Sequence, residues 1–148
     1  MEEKMKVEQI DHIHIYVSDK IEAANWYKKV LGFEPINKYE NPLEESGPYT
    51  LSSDGGNTNI ALFINRDNTK HKNTIAYKIS GNNFINFVEQ LNSLEVKNVE
   101  GNLFSKKDII DHQYSFSIYF YDPYSNPIEI ITYHYDLVKH LIATSNNL

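Results

Sequence analysis

Two histidines and a glutamate are the residues of this sequence best suited to bind a divalent metal ion. His12 and His14 stand two positions apart in the segment Ile10–Val17, where apolar and polar residues alternate. This alternation predicts a β-strand with both imidazoles on one face, at ~6.6 Å from each other along the strand. If the fold brings the carboxylate of Glu129 to them, the three would form a two-histidine, one-carboxylate set, which suits iron, manganese, zinc or nickel. The alternative is that the histidines line a cavity and that Glu129 is a charged residue near a strand end.

The elements that must position these residues fall into two similar halves. The first half, about residues 10–65, is predicted as β-α-β-β-β, with strands at 10–17, 33–39, 49–53 and 59–65. Ser18-Asp19 is typical of a helix start and Gly32 of a helix end, and Asp54-Gly55-Gly56 is typical of a hairpin turn. The second half, about residues 73–133, repeats the order, with strands at 74–79, 96–102, 114–121 and 127–133. A loop is predicted at 106–111 and a short helix at 136–143.

Superposing the two halves defines four equivalent positions. An offset of 62 (74 − 12) relates His12 to Thr74, and an offset of 68 (129 − 61) relates Ala61 to Glu129. Two of the four positions hold metal-ligating residue types, whereas Thr74 and Ala61 do not. Three histidines offer a replacement for the missing ligand, namely His14, His71 and His112. A cavity without metal is the other interpretation.

Composition restricts the classes of function. The chain has 148 residues, which corresponds to a single domain. It contains no cysteine, which excludes thiol catalysis and disulfides and is consistent with the cytoplasm. The net charge of −6 and the absence of a basic cluster argue against nucleic acid and anionic membranes as partners. No run of about 20 apolar residues is present, and because Met1–Lys6 alternates charges we expect no secretory signal.

Motifs at both ends of the sequence resemble the vicinal oxygen chelate superfamily, which contains glyoxalase I, fosfomycin and bleomycin resistance proteins and extradiol dioxygenases. The opening motifs are DHIHIYVSD at Asp11–Asp19 and WYKKVLGF at Trp26–Phe33, and the closing motif is YFYDPYSNPIE at Tyr119–Glu129. The resemblance spans about residues 10–133. It implies an α+β fold in which two βαβββ modules form an eight-stranded, cupped, incomplete barrel with the helices outside. It also implies a small-molecule ligand in the cup, and proteins of this fold often pair through their sheets as homodimers.

The resemblance also implies where metal ligands lie. Members of the superfamily place up to four ligands in the cup, at the positions that His12, Ala61, Thr74 and Glu129 occupy here. His12 and Glu129 are therefore expected to approach one another. Glyoxalase-like, fosfomycin-resistance-like and dioxygenase-like members normally have a histidine where this chain has Thr74. We predict that His12, His14 and Glu129 bind the metal.

A second resemblance concerns the extradiol dioxygenases. Their pattern of a histidine, a short gap, an apolar residue with tyrosine, Asp-Pro, a glycine and a glutamate is similar to the stretch from His112 through Tyr119 to Glu129. Ser125 stands where glycine is usual. A histidine beside the metal can move protons, and a tyrosine hydroxyl can polarise a substrate oxygen. His112 and Tyr119 are therefore the predicted catalytic residues, although a loop histidine and a packed aromatic ring would fit the same pattern.

Two functions are compatible with these residues. The first is a metal-dependent enzyme in which a divalent ion acts as Lewis acid on a substrate chelated through neighbouring oxygens, most like a ring-cleaving dioxygenase. Glyoxalase-like chemistry is less favoured because Ala61 cannot act as a base. The second is a protein of the bleomycin-resistance type, which sequesters a planar compound without metal, and Trp26 and 11 tyrosines suit such binding.

Overall fold

The computed structural model describes residues 4–65, 73–146 and 148. The chain consists of two compact units, Met1–Thr69 and Lys70–Leu148. Each unit contains one four-stranded mixed sheet with the βαβββ order of elements. The α+β class and the two-module architecture predicted from the sequence are thereby confirmed, and each sheet is open. Within the described residues, no helix is both long and apolar enough to cross a membrane.

Unit 1 contains β1 (Ile13–Val17), α1 (Lys20–Leu31), β2 (Glu34–Pro35), β3 (Tyr49–Ser52) and β4 (Asn59–Ile64). The strand order is β1-β4-β3-β2. β1 runs parallel to β4, whereas the other pairs are antiparallel. The parallel pairing requires a crossover between the first and last strands, and α1 lies within it and packs against β4.

The ends of α1 follow directly from two residues that the sequence singled out as helix caps. The Asp19 side chain accepts hydrogen bonds from the backbone N–H groups of Ile21 and Glu22, which satisfies donors that the first turn leaves free. Gly32 ends the helix with φ of +73°, a left-handed conformation that suits glycine. Tyr27 and Ala23 are fully buried, so this helix places its apolar face in the core of unit 1.

Unit 2 contains β5 (Ile75–Lys78), α2 (Gly81–Ser93), β6 (Ile110–Asp111), β7 (Phe116–Tyr121), β8 (Pro127–Thr132) and α3 (Tyr135–Thr144). Its strand order, β5-β8-β7-β6, has the same pattern as in unit 1. β5 is parallel to β8, and the other pairs are antiparallel. α2 and α3 pack against one another. The core of unit 2 includes Phe84, Val88, Leu91, Ile118, Phe120 and Ile130, all of which are buried.

The second strand of unit 2 is not where the sequence pattern predicts it. Residues 96–102 form a loop with a turn at 99–100, in which the Asn98 side chain accepts hydrogen bonds from the backbone N–H groups of Glu100 and Asn102. Such a side chain competes with strand pairing for backbone groups. The segment predicted as a loop instead holds a 3₁₀ turn at Lys106–Asp108, followed by β6. The strand predicted at 33–39 shortens to β2, because the Asn37 side chain accepts from the N–H of Tyr39 and turns the chain.

We expect Gly81→Ala to destabilise the junction of α2 and α3. A Cβ at position 81 would lie 2.5 Å from Cβ of His134 and 3.1 Å from Cγ2 of Val138, and Val138 is fully buried. The backbone N–H of Gly81 also donates to Nδ1 of His134 at 2.9 Å, so the two segments cannot simply separate. Overpacking of this kind costs about 1–3 kcal/mol.

Urea unfolding at equilibrium measures this loss. Asn82→Ala is the control, because Asn82 is the exposed neighbour of Gly81 on the same helical turn. Equal free energies of unfolding for the two variants would show that α3 moves away from position 81 without cost.

Candidate functional site

One face of β1 carries the polar residues of unit 1 that could bind a ligand. Ile15 and Val17 are buried at 3% and 1% exposure, whereas His14 is exposed and Tyr16 half-buried. The predicted register is therefore confirmed within β1, with Ile15 and Val17 toward the core and His14 and Tyr16 on the opposite face. The strand predicted over 10–17 begins only at Ile13, so His12 lies just before it. The physical cause is the two-residue period of a strand, which sends successive side chains to opposite faces.

The imidazoles of His12 and His14, hereafter the imidazole pair, face one another. Nε2 of His12 lies 3.1 Å from Nε2 of His14, and the rings are stacked with centroids 5.1 Å apart. His12 Nδ1 lies 2.6 Å from Oδ2 of Asp11. An ionised carboxylate only accepts hydrogen bonds, so this contact places a proton on Nδ1 and leaves the Nε2 lone pair of His12 directed at His14.

The separation of the two Nε2 atoms fits a shared divalent ion. Imidazole nitrogens bind zinc at about 2.0–2.1 Å, so two that share an ion lie at most about 4.2 Å apart. The observed 3.1 Å is within this limit, and it also fits a direct N–H···N hydrogen bond when no ion is bound. Among the residues that the structure describes, no three His, Asp or Glu side chains gather as a metal-binding group.

An aromatic and a small side chain lie next to His14. The ring of Phe63 lies 4.4 Å from the His14 ring, centroid to centroid, and 6.3 Å from that of Tyr16. Ala61 is the strand partner of His14 and is buried at 1% exposure. Phe63 was not among the residues predicted for the site. It could have been predicted from the two-residue period of β4, which places Phe63 on the same face as Ala61.

Unit 2 holds a separate group of polar side chains, hereafter the tyrosine cluster: His112, Ser117, Tyr119 and Glu129. Glu129 and Tyr119 are direct partners across the β7–β8 pair. The buried hydroxyl of Ser117 donates to Oε2 of Glu129 at 2.7 Å and fixes that carboxylate. This role of Ser117 was not predicted, although its even spacing from Tyr119 on one strand places both on the same face.

His112 and Tyr119 are brought into contact. Nε2 of His112 lies 3.2 Å from the Tyr119 hydroxyl oxygen. His112 follows β6, and its backbone N–H donates to the carbonyl of Ser115, which closes the turn between β6 and β7 and aims the ring at Tyr119. Burial raises the pKa of the Tyr119 hydroxyl, and the negative charge of Glu129 adds to the effect. This hydroxyl therefore stays protonated above the pH at which an ordinary tyrosine ionises.

The turn between β7 and β8 explains the departure at Ser125. Its φ is +64°, the left-handed conformation that glycine adopts with least strain. The Asp122 carboxylate holds the turn by accepting from the backbone N–H groups of Tyr124 and Asn126. Serine therefore forms here the turn for which the extradiol dioxygenase motif has glycine. Glu129 follows this turn on β8.

Two other candidate ligands are placed differently from the imidazole pair. Thr74 is exposed and lies just before β5. The strand partner of Glu129 is not Thr74 but Ala76, two residues later. The hydroxyl of Thr74 does not supply a nitrogen donor, so the structure leaves this position without a strong ligand. His71 lies outside the described residues.

Two βαβββ units, with His14 on the first strand and Glu129 on the last, define a class of small two-module proteins. The sequence profile of the Glyoxalase/Bleomycin resistance protein/Dioxygenase superfamily matches residues 9–130. The chain belongs to this superfamily. No curated protein matches the sequence significantly.

Several solved structures share the fold. A fosfomycin resistance protein, FosX, from Listeria monocytogenes, in complex with Mn(II) and 1S,2S-dihydroxypropylphosphonic acid, has a TM-score of 0.67 and 18% identity, and the match covers 89% of this chain and 97% of that one. A glyoxalase family protein from Bacillus anthracis gives 0.67 and 17%, with coverage of 88% and 99%. The oxidase ChaP-H2 gives 0.65 and 18%, with coverage of 88% and 97%. At these identities the likeness establishes the fold alone.

Proposed function

We propose that this chain is a metal-dependent enzyme acting on a small molecule that binds a divalent ion through two neighbouring oxygens. The reaction we favour resembles extradiol ring cleavage, in which both atoms of dioxygen enter an aromatic diol and the ring carbon–carbon bond beside the diol breaks. The observation that carries this proposal is the 3.2 Å contact between the His112 imidazole and the Tyr119 hydroxyl. These are the two residues that the resemblance to the extradiol dioxygenase motif predicted to be catalytic.

The tyrosine cluster provides a proton donor and a proton carrier. Tyr119 remains protonated because burial and Glu129 both raise its pKa, so its hydroxyl can donate a hydrogen bond to a substrate oxygen that gains charge. His112 contacts that hydroxyl through Nε2, and an imidazole nitrogen can either donate or accept a proton at this position. Ser117 holds Glu129 in one orientation by its hydrogen bond. The cluster thus orients the substrate and moves one proton.

The imidazole pair and Glu129 are the proposed metal ligands. Two nitrogens and one carboxylate suit iron(II), manganese, zinc or nickel, and relatives in the superfamily include a fosfomycin resistance protein solved with Mn(II). A bound ion would supply Lewis acidity that polarises the substrate oxygens. The pair lies in unit 1 and Glu129 in unit 2. Variants of both are therefore needed to test whether they bind one ion.

Metal content and oxygen uptake test the proposed function together. Protein purified without chelators or an affinity tag is analysed for iron, manganese, zinc and nickel, and oxygen uptake is then measured with a panel of catechols. We expect near-stoichiometric metal and oxygen uptake with at least one catechol. Metal without oxygen uptake would exclude ring cleavage and leave another reaction of the superfamily. Absence of both would reject the enzyme.

The second candidate is a metal-free protein that sequesters a planar compound. It is favoured by one observation, namely that the described residues contain no group of three metal-ligating side chains. In that case the rings of Phe63, His14 and Tyr16 would stack on the ligand. Binding of a planar aromatic probe that is unaffected by a chelator would support sequestration, whereas loss of binding with the chelator would support the enzyme.

We expect Thr74→His to increase metal affinity if the position keeps its ligand role in this chain. A third imidazole completes a coordination set, and Thr74 is exposed, so the larger side chain does not disturb the core. Calorimetric titration with Zn(II) and Mn(II) measures the gain in affinity. We expect the affinity to rise about 10-fold or more, at least as much as one outer-shell residue contributes. Asn73→His is the control, since it adds the same residue one position away. Equal affinities would indicate that His14 already serves as the working ligand.

A further inference from the structure

We propose that Asp11 is a positioning residue that fixes the tautomer and orientation of His12, so that its Nε2 is presented for a metal ion. This inference rests on the proposed function, in which His12 is a ligand. Nothing in the sequence motifs assigned a role to Asp11. The contact that carries the proposal is the 2.6 Å distance between Oδ2 of Asp11 and Nδ1 of His12.

The hydrogen bond determines which nitrogen of His12 is available. Neutral imidazole has one N–H and one lone pair, and the partner of one nitrogen decides the state of the other. Since the Asp11 carboxylate accepts a hydrogen bond from the Nδ1–H group, the lone pair lies on Nε2, the atom that faces His14 at 3.1 Å. A carboxylate on the far nitrogen also makes an imidazole a stronger metal ligand.

Backbone contacts hold Asp11 in place. Its carbonyl accepts from Nδ2 of Asn59 at 2.9 Å, and the same amide group donates to the carbonyl of Gly56. Nε2 of Gln9 donates to the carbonyl of Asn57 at 3.1 Å. The segment before β1 is therefore tied to the β3–β4 turn at two points. These ties restrict where the carboxylate can lie relative to His12.

Asp11 is suited to a test because it contributes nothing to the core. Its side chain is 89% exposed. Exposed ion pairs stabilise proteins by about 0–1 kcal/mol, so removing the carboxylate leaves the fold intact. An effect on His12 can then be separated from an effect on folding.

The experiment compares Asp11→Ala and Asp11→Asn with the unchanged protein. Imidazole tautomers are read from long-range proton–nitrogen NMR spectra of the metal-free proteins, and Zn(II) affinity from calorimetry. In the unchanged protein we expect His12 to carry its proton on Nδ1. With Asp11→Ala we expect a mixture of tautomers and a loss of Zn(II) affinity of about 10–100-fold. Asp11→Asn should retain the Nδ1 proton, because the amide oxygen still accepts, and recover part of the affinity.

Glu8→Ala is the matched control, since it removes an exposed carboxylate three residues earlier and should change neither measurement. An unchanged tautomer and unchanged affinity in Asp11→Ala would overturn the proposal. If the unchanged protein binds no metal, the proposed function fails, and the NMR measurement alone then decides the role of Asp11: a tautomer shift supports it and an unshifted one refutes it.

Discussion

His14→Ala is expected to abolish metal retention during purification and to lower Zn(II) and Mn(II) affinity by more than about 100-fold, beyond what loss of an outer-shell partner costs. The reason is that His14 supplies one of two nitrogens that lie 3.1 Å apart, and a lone imidazole binds these ions weakly. Calorimetric titration and elemental analysis measure the effect. His12→Ala should behave in the same way.

His140→Ala is the control for this prediction. His140 is an exposed histidine on α3, so its removal tests non-specific binding of metal to surface imidazoles. A His14→Ala protein that retains the metal of the unchanged protein would show that the ion binds elsewhere. Glu129→Gln completes the set. A loss comparable to that of His14→Ala would support a shared ion, and unchanged affinity would exclude Glu129 as a ligand.

The second large effect is expected for Tyr119→Phe, which should reduce kcat by about 100- to 10,000-fold, the usual contribution of a general acid or base. Metal content should not change, because the hydroxyl is not a proposed ligand. His112→Ala should cause a similar loss, and the double variant should lose little more than either single one, since the two side chains contact each other and act as a unit. Oxygen uptake with the best catechol of the panel measures the rates.

The pH dependence provides an independent check on Tyr119. Because burial and Glu129 raise its pKa, the protonated hydroxyl that donates to the substrate persists above the ordinary tyrosine pKa of about 10. Activity should therefore fall on the alkaline side only above that pH, and the fall should be absent from the residual activity of Tyr119→Phe. Tyr121→Phe, on the same strand and largely exposed, is the control. An alkaline fall near pH 8 would assign the loss to another group.

Local signals in the sequence were sufficient for most of the fold. The alternation in Ile10–Val17 predicted which face of β1 is buried, and Asp19 and Gly32 predicted the ends of α1, because capping depends on residues adjacent in the chain. The prediction failed at residues 96–102. There the apolar residues suggested a strand, but the Asn98 side chain forms the turn by binding backbone groups within four residues. A pattern of polarity does not show where a side chain competes with strand pairing.

The candidate site divides in the same way. The sequence by itself determined that His14 and Tyr16 share one face of β1 and that Ser117 and Tyr119 share one face of β7, since the period of a strand is fixed by backbone geometry. Only the tertiary structure decided that Nε2 of His12 faces His14, that Ser117 binds Glu129, and that His112 reaches Tyr119. These contacts depend on strand register and side-chain rotamers, which are set by the packing of whole units, and no spacing of residue types specifies them.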